Sequence, residues 1–157
     1  MAGQVKSVAE SLYISVSSNR HDIEKARLTL ITFFELLSKG IYVMASELYG
    51  GSYKELIEMN PGLDADDHAA LLESACTVNG FQCLLLKDIV HAVQDWPDTF
   101  TFTVTFLNPD GSLFELGACC GNAATELPPQ SSFDFTVMRL PQAGDLFLVQ
   151  RLPVYLP

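Results

Sequence analysis

Four cysteines, three histidines and nineteen carboxylates are the side chains best suited to chemistry in this 157-residue chain. Cys76 and Cys83 are separated by Thr-Val-Asn-Gly-Phe-Gln, which reads as a helix end, an Asn-Gly turn and a strand start. Such a path can bring two α-carbons within disulfide reach. Cys119 and Cys120 are adjacent, and neighbours on a regular strand point to opposite faces. Two readings stand side by side: a Cys76–Cys83 disulfide in an oxidising compartment, or four buried thiols in a reducing one. Structural zinc wants paired Cys-x-x-Cys spacings, which are absent, so no metal is expected. No histidine stands next to a cysteine in sequence to activate it as a nucleophile.

His68 follows Asp66 and Asp67. That grouping suits either acid–base or metal chemistry in a pocket, or simply a capped helix start. His91 lies near Asp88 on an expected strand, Glu115 and Asp134 on others. Strand side chains alternate, so Asp88, His91, Glu115 and Asp134 either enter a pocket as general-base candidates or line the solvent side. His21 precedes a helix and reads as a surface residue. Phe34, Tyr42, Tyr53 and Trp96, with Phe33 and Tyr49, either rim an apolar ligand pocket or form plain core. The sequence has no Gly-rich phosphate loop, no Gly-x-Ser-x-Gly elbow and no His-Glu-x-x-His, and no cofactor is implied.

The elements that must position these groups come in two runs. Residues 1–21 read as an N-terminal arm or short helix. Residues 22–39 place Ile23, Ala26, Leu30, Phe33, Phe34 and Leu37 at helical spacing, with Gly40 as terminator. Shorter helices are expected over 42–49, over 53–59 with a Ser52/Glu55 capping box, and over 65–77. Strands follow over 81–93, in a hairpin over 99–120, and over 132–140 and 145–155. The sharpest local signal is 99–120. Phe100, Phe102, Val104 and Phe106 alternate with threonines before the turn Asn108-Pro109-Asp110-Gly111. That pattern predicts a hairpin in which Phe106 faces Phe114, Val104 faces Leu116, Phe102 faces Ala118 and Phe100 faces Cys120. Helices followed by antiparallel strands make an α+β domain over 22–157, its sheet curved and its longest helix in the concave side.

Nineteen acids against nine bases give a formal charge of −10. A polyanion with scattered bases repels nucleic acid and anionic lipid, so neither is expected as a partner. No apolar run is long enough for a membrane span, and no signal peptide is visible. The expectation is cytoplasmic as written, or extracytoplasmic if an export segment has been removed and the cysteines are paired.

The run Phe33-Phe34-Glu35-Leu36-Leu37-Ser38-Lys39-Gly40, then Ala45 and Leu48-Tyr49-Gly50, resembles the start of the nuclear transport factor 2-like, or cystatin-like, superfamily. The resemblance covers 22–157. One departure is the lack of a clear short strand between the second and third helices, where that superfamily usually has one. The resemblance implies a cone: a curved sheet around the long helix, with a pocket at its open end. Members include isomerases, dehydratases, cyclases and protein-binding modules, so the fold alone assigns no activity. The leading expectation is a non-enzymatic module that binds a small apolar ligand or forms a homodimer through its sheet. The alternatives are a cone-fold enzyme using a pocket carboxylate or histidine, and an exported disulfide-stabilised domain.

Overall fold

Between residues 4 and 21 the chain has no glycine or proline, and nothing there breaks a helix. In the computed structural model, which describes residues 3–117, 128–143 and 145–157, α1 (Gly3–Ser38) runs unbroken through the expected boundary at residue 22. The polar run Ser17-Ser18-Asn19 costs only about 0.5 kcal/mol per residue against alanine, too little to end a helix. Its end is as expected: Gly40 takes a left-handed φ of 74°. The Ile41 N–H donates to Leu36 O at 2.9 Å and the Gly40 N–H to Leu37 O at 3.1 Å, closing the last turn.

Three short helices follow: α2 (Tyr42–Glu47), α3 (Lys54–Met59) and α4 (His68–Thr77). Ser52 Oγ accepts from the Lys54 N–H at 3.1 Å, but Tyr53 occupies the cap position and Glu55 returns no bond, so the expected capping box does not form. Asp67 caps α4 by accepting from the Ala70 N–H at 3.1 Å. Between α2 and α3, Tyr49 makes a single parallel bridge to Val149.

The strands are β1 (Leu85–Trp96), β2 (Thr99–Leu107), β3 (Phe133–Leu140) and β4 (Leu146–Val149), in spatial order β1-β2-β3-β4 and antiparallel throughout. β1 starts later and ends later than expected, leaving Pro97-Asp98 as a two-residue turn. Its register slips at three places, around Lys87, Val90 and Asp95. These bulges explain its misleading pattern: the residues facing the core, Leu86, Ile89 and Ala92, recur every third position instead of every second. β4 is shorter than expected because the chain turns away at Gln150 and returns at Tyr155 to bridge Phe81.

The predicted hairpin is correct at its tip. The Asn108 N–H donates to Ser112 O at 2.8 Å, the Gly111 N–H to Asn108 O at 2.9 Å, and the Phe114 N–H to Phe106 O at 2.9 Å. Beyond that the second arm departs. Leu116 bridges Gln130, and β3 takes the place beside β2, with Val104 opposite Phe133 and Phe102 opposite Phe135. β3 offers a longer apolar face than the tip's second arm, where Gly117 contributes nothing to burial. The expected partners Ala118 and Cys120, like Cys119, lie outside the described residues.

α1 packs across the inner faces of all four strands. Phe33, Phe34, Phe100, Phe102, Phe106 and Phe135 are fully buried in that space. Each such side chain contributes about 2–3 kcal/mol of apolar transfer free energy. No polar or charged residue is buried among those described.

Candidate functional site

Register decides what the outer face of the sheet displays. Asp88 and His91 stand opposite Thr105 and Thr103, and Thr103 stands opposite Asp134. His91, Thr103 and Asp134 therefore form one row across three strands. Thr103 Oγ1 donates to Asp134 Oδ1, and the Asp88 N–H donates to Thr105 Oγ1 at 3.2 Å. Asp88, His91 and Asp134 are all exposed, and so is Glu115, which lies outside the row on the arm that follows the hairpin tip. As a set of pocket bases the four do not converge. Strand parity turns Asp88, His91 and Asp134 to the side away from α1, where they stand exposed to solvent.

The four aromatic candidates separate as well. Phe34 lies at the centre of the core, edge-on to Phe106 at 4.9 Å and to Phe135 at 5.0 Å. Tyr42 is half-buried at the start of α2. Tyr53 stacks on the His68 ring with centroids 3.9 Å apart and meets Tyr49 edge-on at 5.0 Å. This stacking accounts for His68, while the capping role falls to Asp67. Burial pushes the Tyr53 phenol up to about 12. Trp96, 72% exposed, is on the outer face at the end of β1. Phe34 is therefore core and not a pocket wall, clustered with Phe33, Phe100, Phe102, Phe106 and Phe135.

Around Trp96 the outer face is apolar at both margins. Leu85 (46% exposed) and Val93 accompany it there, opposite Leu107 and Thr101, and Val90 (58%) is exposed at the bulge between Ile89 and His91. Across the threonine strip of β2, Met138 pairs with Leu148 and Leu140 with Leu146. The two edges differ. The segment after α2 covers β4: the Val149 N–H donates to Leu48 O at 2.8 Å and the Gly50 N–H to Val149 O at 2.9 Å. β1 has no strand on its far side among the described residues.

A groove of about 560 Å³ runs between α3 and the C-terminal segment, lined by Tyr49, Glu55, Phe81, Arg151, Pro153 and Tyr155 among others. The Cys76–Cys83 disulfide, with α-carbons 5.5 Å apart, closes the loop that builds one wall. Within that loop Gly80 adopts a φ of +91°, and a Cβ there would lie 2.5 Å from Leu156 O. Only glycine allows this approach. The Leu156 N–H then donates to Gly80 O and the Gln82 N–H to Val154 O, both at 2.8 Å. On the opposite wall the Tyr49 hydroxyl donates to Ser52 O at 2.8 Å. Burial raises the Tyr49 phenol above its ordinary value, and the Tyr53 and Glu55 charges raise it further. Sequence reasoning missed this groove because its walls come from three separate stretches, 49–58, Phe81 and 150–155, with no local motif.

Among the described residues no three His, Cys, Asp or Glu side chains gather closely enough to hold a metal ion. No helix among the described residues is long and apolar enough to cross a membrane. Comparison with known proteins gave no match: no family model, curated protein or solved structure matches this chain.

Proposed function

We propose that this chain is a non-enzymatic interaction module of the nuclear transport factor 2-like class that pairs with a second copy through the outer face of its sheet. The observation that carries the reading is the exposure of Leu85, Val90, Val93 and Trp96 on one strand. Asp88 and His91 stand between Leu85 and Val93 on that face, yet a sheet face that meets only water does not need so many large apolar side chains, and their exposure is a feature of interfaces. An isologous contact across this face would bring each copy's apolar margins over the other's. The three bulges of β1 disfavour edge-to-edge strand addition, which leaves the face as the surface for pairing.

A cone is supported by α1 lying against every strand and by bulges, which bend a sheet. The Tyr49–Val149 bridge occupies the place where that class has a short strand. The alternative of catalysis inside the cone loses support from the phenylalanines buried between α1 and the sheet and from the lack of buried polar or charged residues among those described.

Sedimentation equilibrium tests the proposal. The expected result is a dimer, with the emission of the sole tryptophan, Trp96, moving to shorter wavelength as concentration rises. Salt should strengthen the dimer, because two chains of charge −10 repel. A monomer at all concentrations and salts would remove the proposal.

The Cys76–Cys83 bond favours a second reading, of a domain working in an oxidising compartment. Thiol titration of the denatured protein without reductant should count at most two free thiols. A count of four would refute it.

A further inference from the structure

Asn79-Gly80 is the one Asn-Gly step in the chain, and it lies inside the loop closed by Cys76 and Cys83. These two residues can react with each other. Glycine has no Cβ to shield its amide, and among the described residues the Gly80 N–H donates no backbone hydrogen bond. That nitrogen is an intramolecular nucleophile for the Asn79 carboxamide carbon. The fold opposes the reaction from both sides. Asn60 Nδ2 donates to Asn79 Oδ1 at 2.8 Å, and Asn79 Nδ2 donates to Asn60 Oδ1 at 3.2 Å, so the carboxamide is held by a reciprocal pair. Ser74 Oγ anchors the pair by donating to Asn60 Oδ1 at 2.6 Å, and Asn60 Nδ2 also reaches Leu56 O at 2.7 Å. The main chain is pinned alongside: the Asn79 N–H donates to Ser74 O at 2.9 Å, the Phe81 N–H to Ala75 O at 3.0 Å and the Leu156 N–H to Gly80 O at 2.8 Å. Closing a ring between Asn79 and Gly80 turns both groups and breaks these bonds, so only a locally opened loop reacts. Cys76 and Cys83 line a surface depression of about 360 Å³ together with Gly80, which gives a thiol and water one approach to the bridge and to the glycine.

We propose that Asn79 is a deamidation site that the Asn60 carboxamide and the Cys76–Cys83 bond keep closed, and that a thiol reductant opens. In the opening step two reductant thiols join as a disulfide, and their electrons and protons pass to Cys76 and Cys83, which become thiols. The Gly80 nitrogen, its proton lost to base, then bonds to Asn79 Cγ. The Cγ–Nδ2 bond breaks, and the nitrogen takes up a proton and leaves as ammonia. Water adds to either carbonyl of the succinimide and breaks that carbon's bond to nitrogen, leaving aspartate or isoaspartate. Water enters, ammonia leaves and nothing is oxidised after the opening step. The new carboxylate has no hydrogen to donate to Asn60 Oδ1, so the reciprocal pair does not re-form. The site depends neither on pairing across the sheet nor on the compartment.

Peptide mapping by mass spectrometry on the full chain, incubated at mildly alkaline pH, tests the proposal by following aspartate and isoaspartate formation at position 79. The oxidised folded chain should convert about tenfold or more slowly than the same chain reduced, alkylated and unfolded in guanidinium, as closed local structure requires. Adding dithiothreitol to the folded chain should speed conversion about fivefold or more, because the bridge limits the opening of its loop. Asn60→Ala in the oxidised chain should speed it about fivefold, the factor that one net hydrogen bond supports. Phe102→Ala weakens the core outside this loop and should leave the oxidised rate within about twofold, because the reactive opening is local. Amide exchange on β2 reports whether each sample is still folded; should reduction unfold the sheet, the oxidised Asn60→Ala rate decides. Equal rates in the folded and unfolded chains, no gain on reduction, an Asn60→Ala rate equal to the parent's, or as large a gain from Phe102→Ala would each overturn the proposal.

Discussion

On β2, Phe100, Phe102, Val104 and Phe106 face α1 and are buried, while Thr101, Thr103 and Thr105 face away between two apolar margins. The two faces belong to the same strand and obey different constraints. A register slip by one position would turn four large apolar side chains to water, so burial alone specifies the inner face. On the outer face the threonines bond laterally, Thr103 to Asp134 and Thr101 to Asp95, and a slip there would cost little. The inner face therefore carries the fold, and the outer face is free to carry an interaction.

Phe102→Ala gives the largest break in this contrast. Phe102 is fully buried, and its loss should cost about 3–5 kcal/mol in urea unfolding, through lost transfer and a residual cavity. Thr103→Ala, one residue away and facing outward, should change stability by no more than about 1 kcal/mol, the worth of one exposed hydrogen bond. Comparable losses from the two would mean that the faces are not distinct.

The same contrast explains what was legible. Strict alternation identified the inner face of β2 and of β3, and the helical spacing of Ala26, Leu30, Phe33, Phe34 and Leu37 identified the face of α1; all these residues are buried. Local turn chemistry placed the hairpin tip at residues 108–112. β1 was harder to read because bulges change the period from two to three, a signal shared with helices. The second arm of the hairpin was misassigned because competition between Leu116 and Phe133 for Val104 is settled by total burial, not by local sequence. The candidate bases were legible as strand residues, but their face was not, since parity relative to a helix is a tertiary property. The groove was not legible at all.

Exchanging the apolar margin for charge gives a smaller effect on stability and sharpens the comparison from the other side. Val90→Glu with Trp96→Glu should shift the unfolding free energy of the monomer by no more than about 1 kcal/mol in total, as usual for exposed positions. The pair should nevertheless leave the chain monomeric at concentrations where the parent sediments as a dimer. A dimer that persists would locate the interface elsewhere. A loss as large as that of Phe102→Ala would show that the outer face is core.

The smallest effect is at the rim, where the inner face runs out of cover. Arg139 pairs in register with Phe147, but there the apolar stripe gives way to charge. Its guanidinium lies 2.7 Å from Asp98, 3.2 Å from Asp145 and 4.0 Å from Asp22 of α1. The Arg139 hydrogen bond, then Lys25 at 3.6 Å, holds the Asp145 carboxyl below its ordinary value. A carboxyl depressed in the folded state favours the protein above its unfolded pKa, and that contribution is lost as pH falls through the folded one. Parent and Asp145→Asn should therefore differ in urea midpoint at pH 6, begin to converge as pH falls below about 4, where the unfolded aspartate protonates, and meet only once pH is below the depressed folded value. The difference at pH 6 should also shrink in high salt, because the pair is exposed. A gap unchanged down to pH 2 would mean that the side chain acts by packing, and that the rim belongs with the inner face after all.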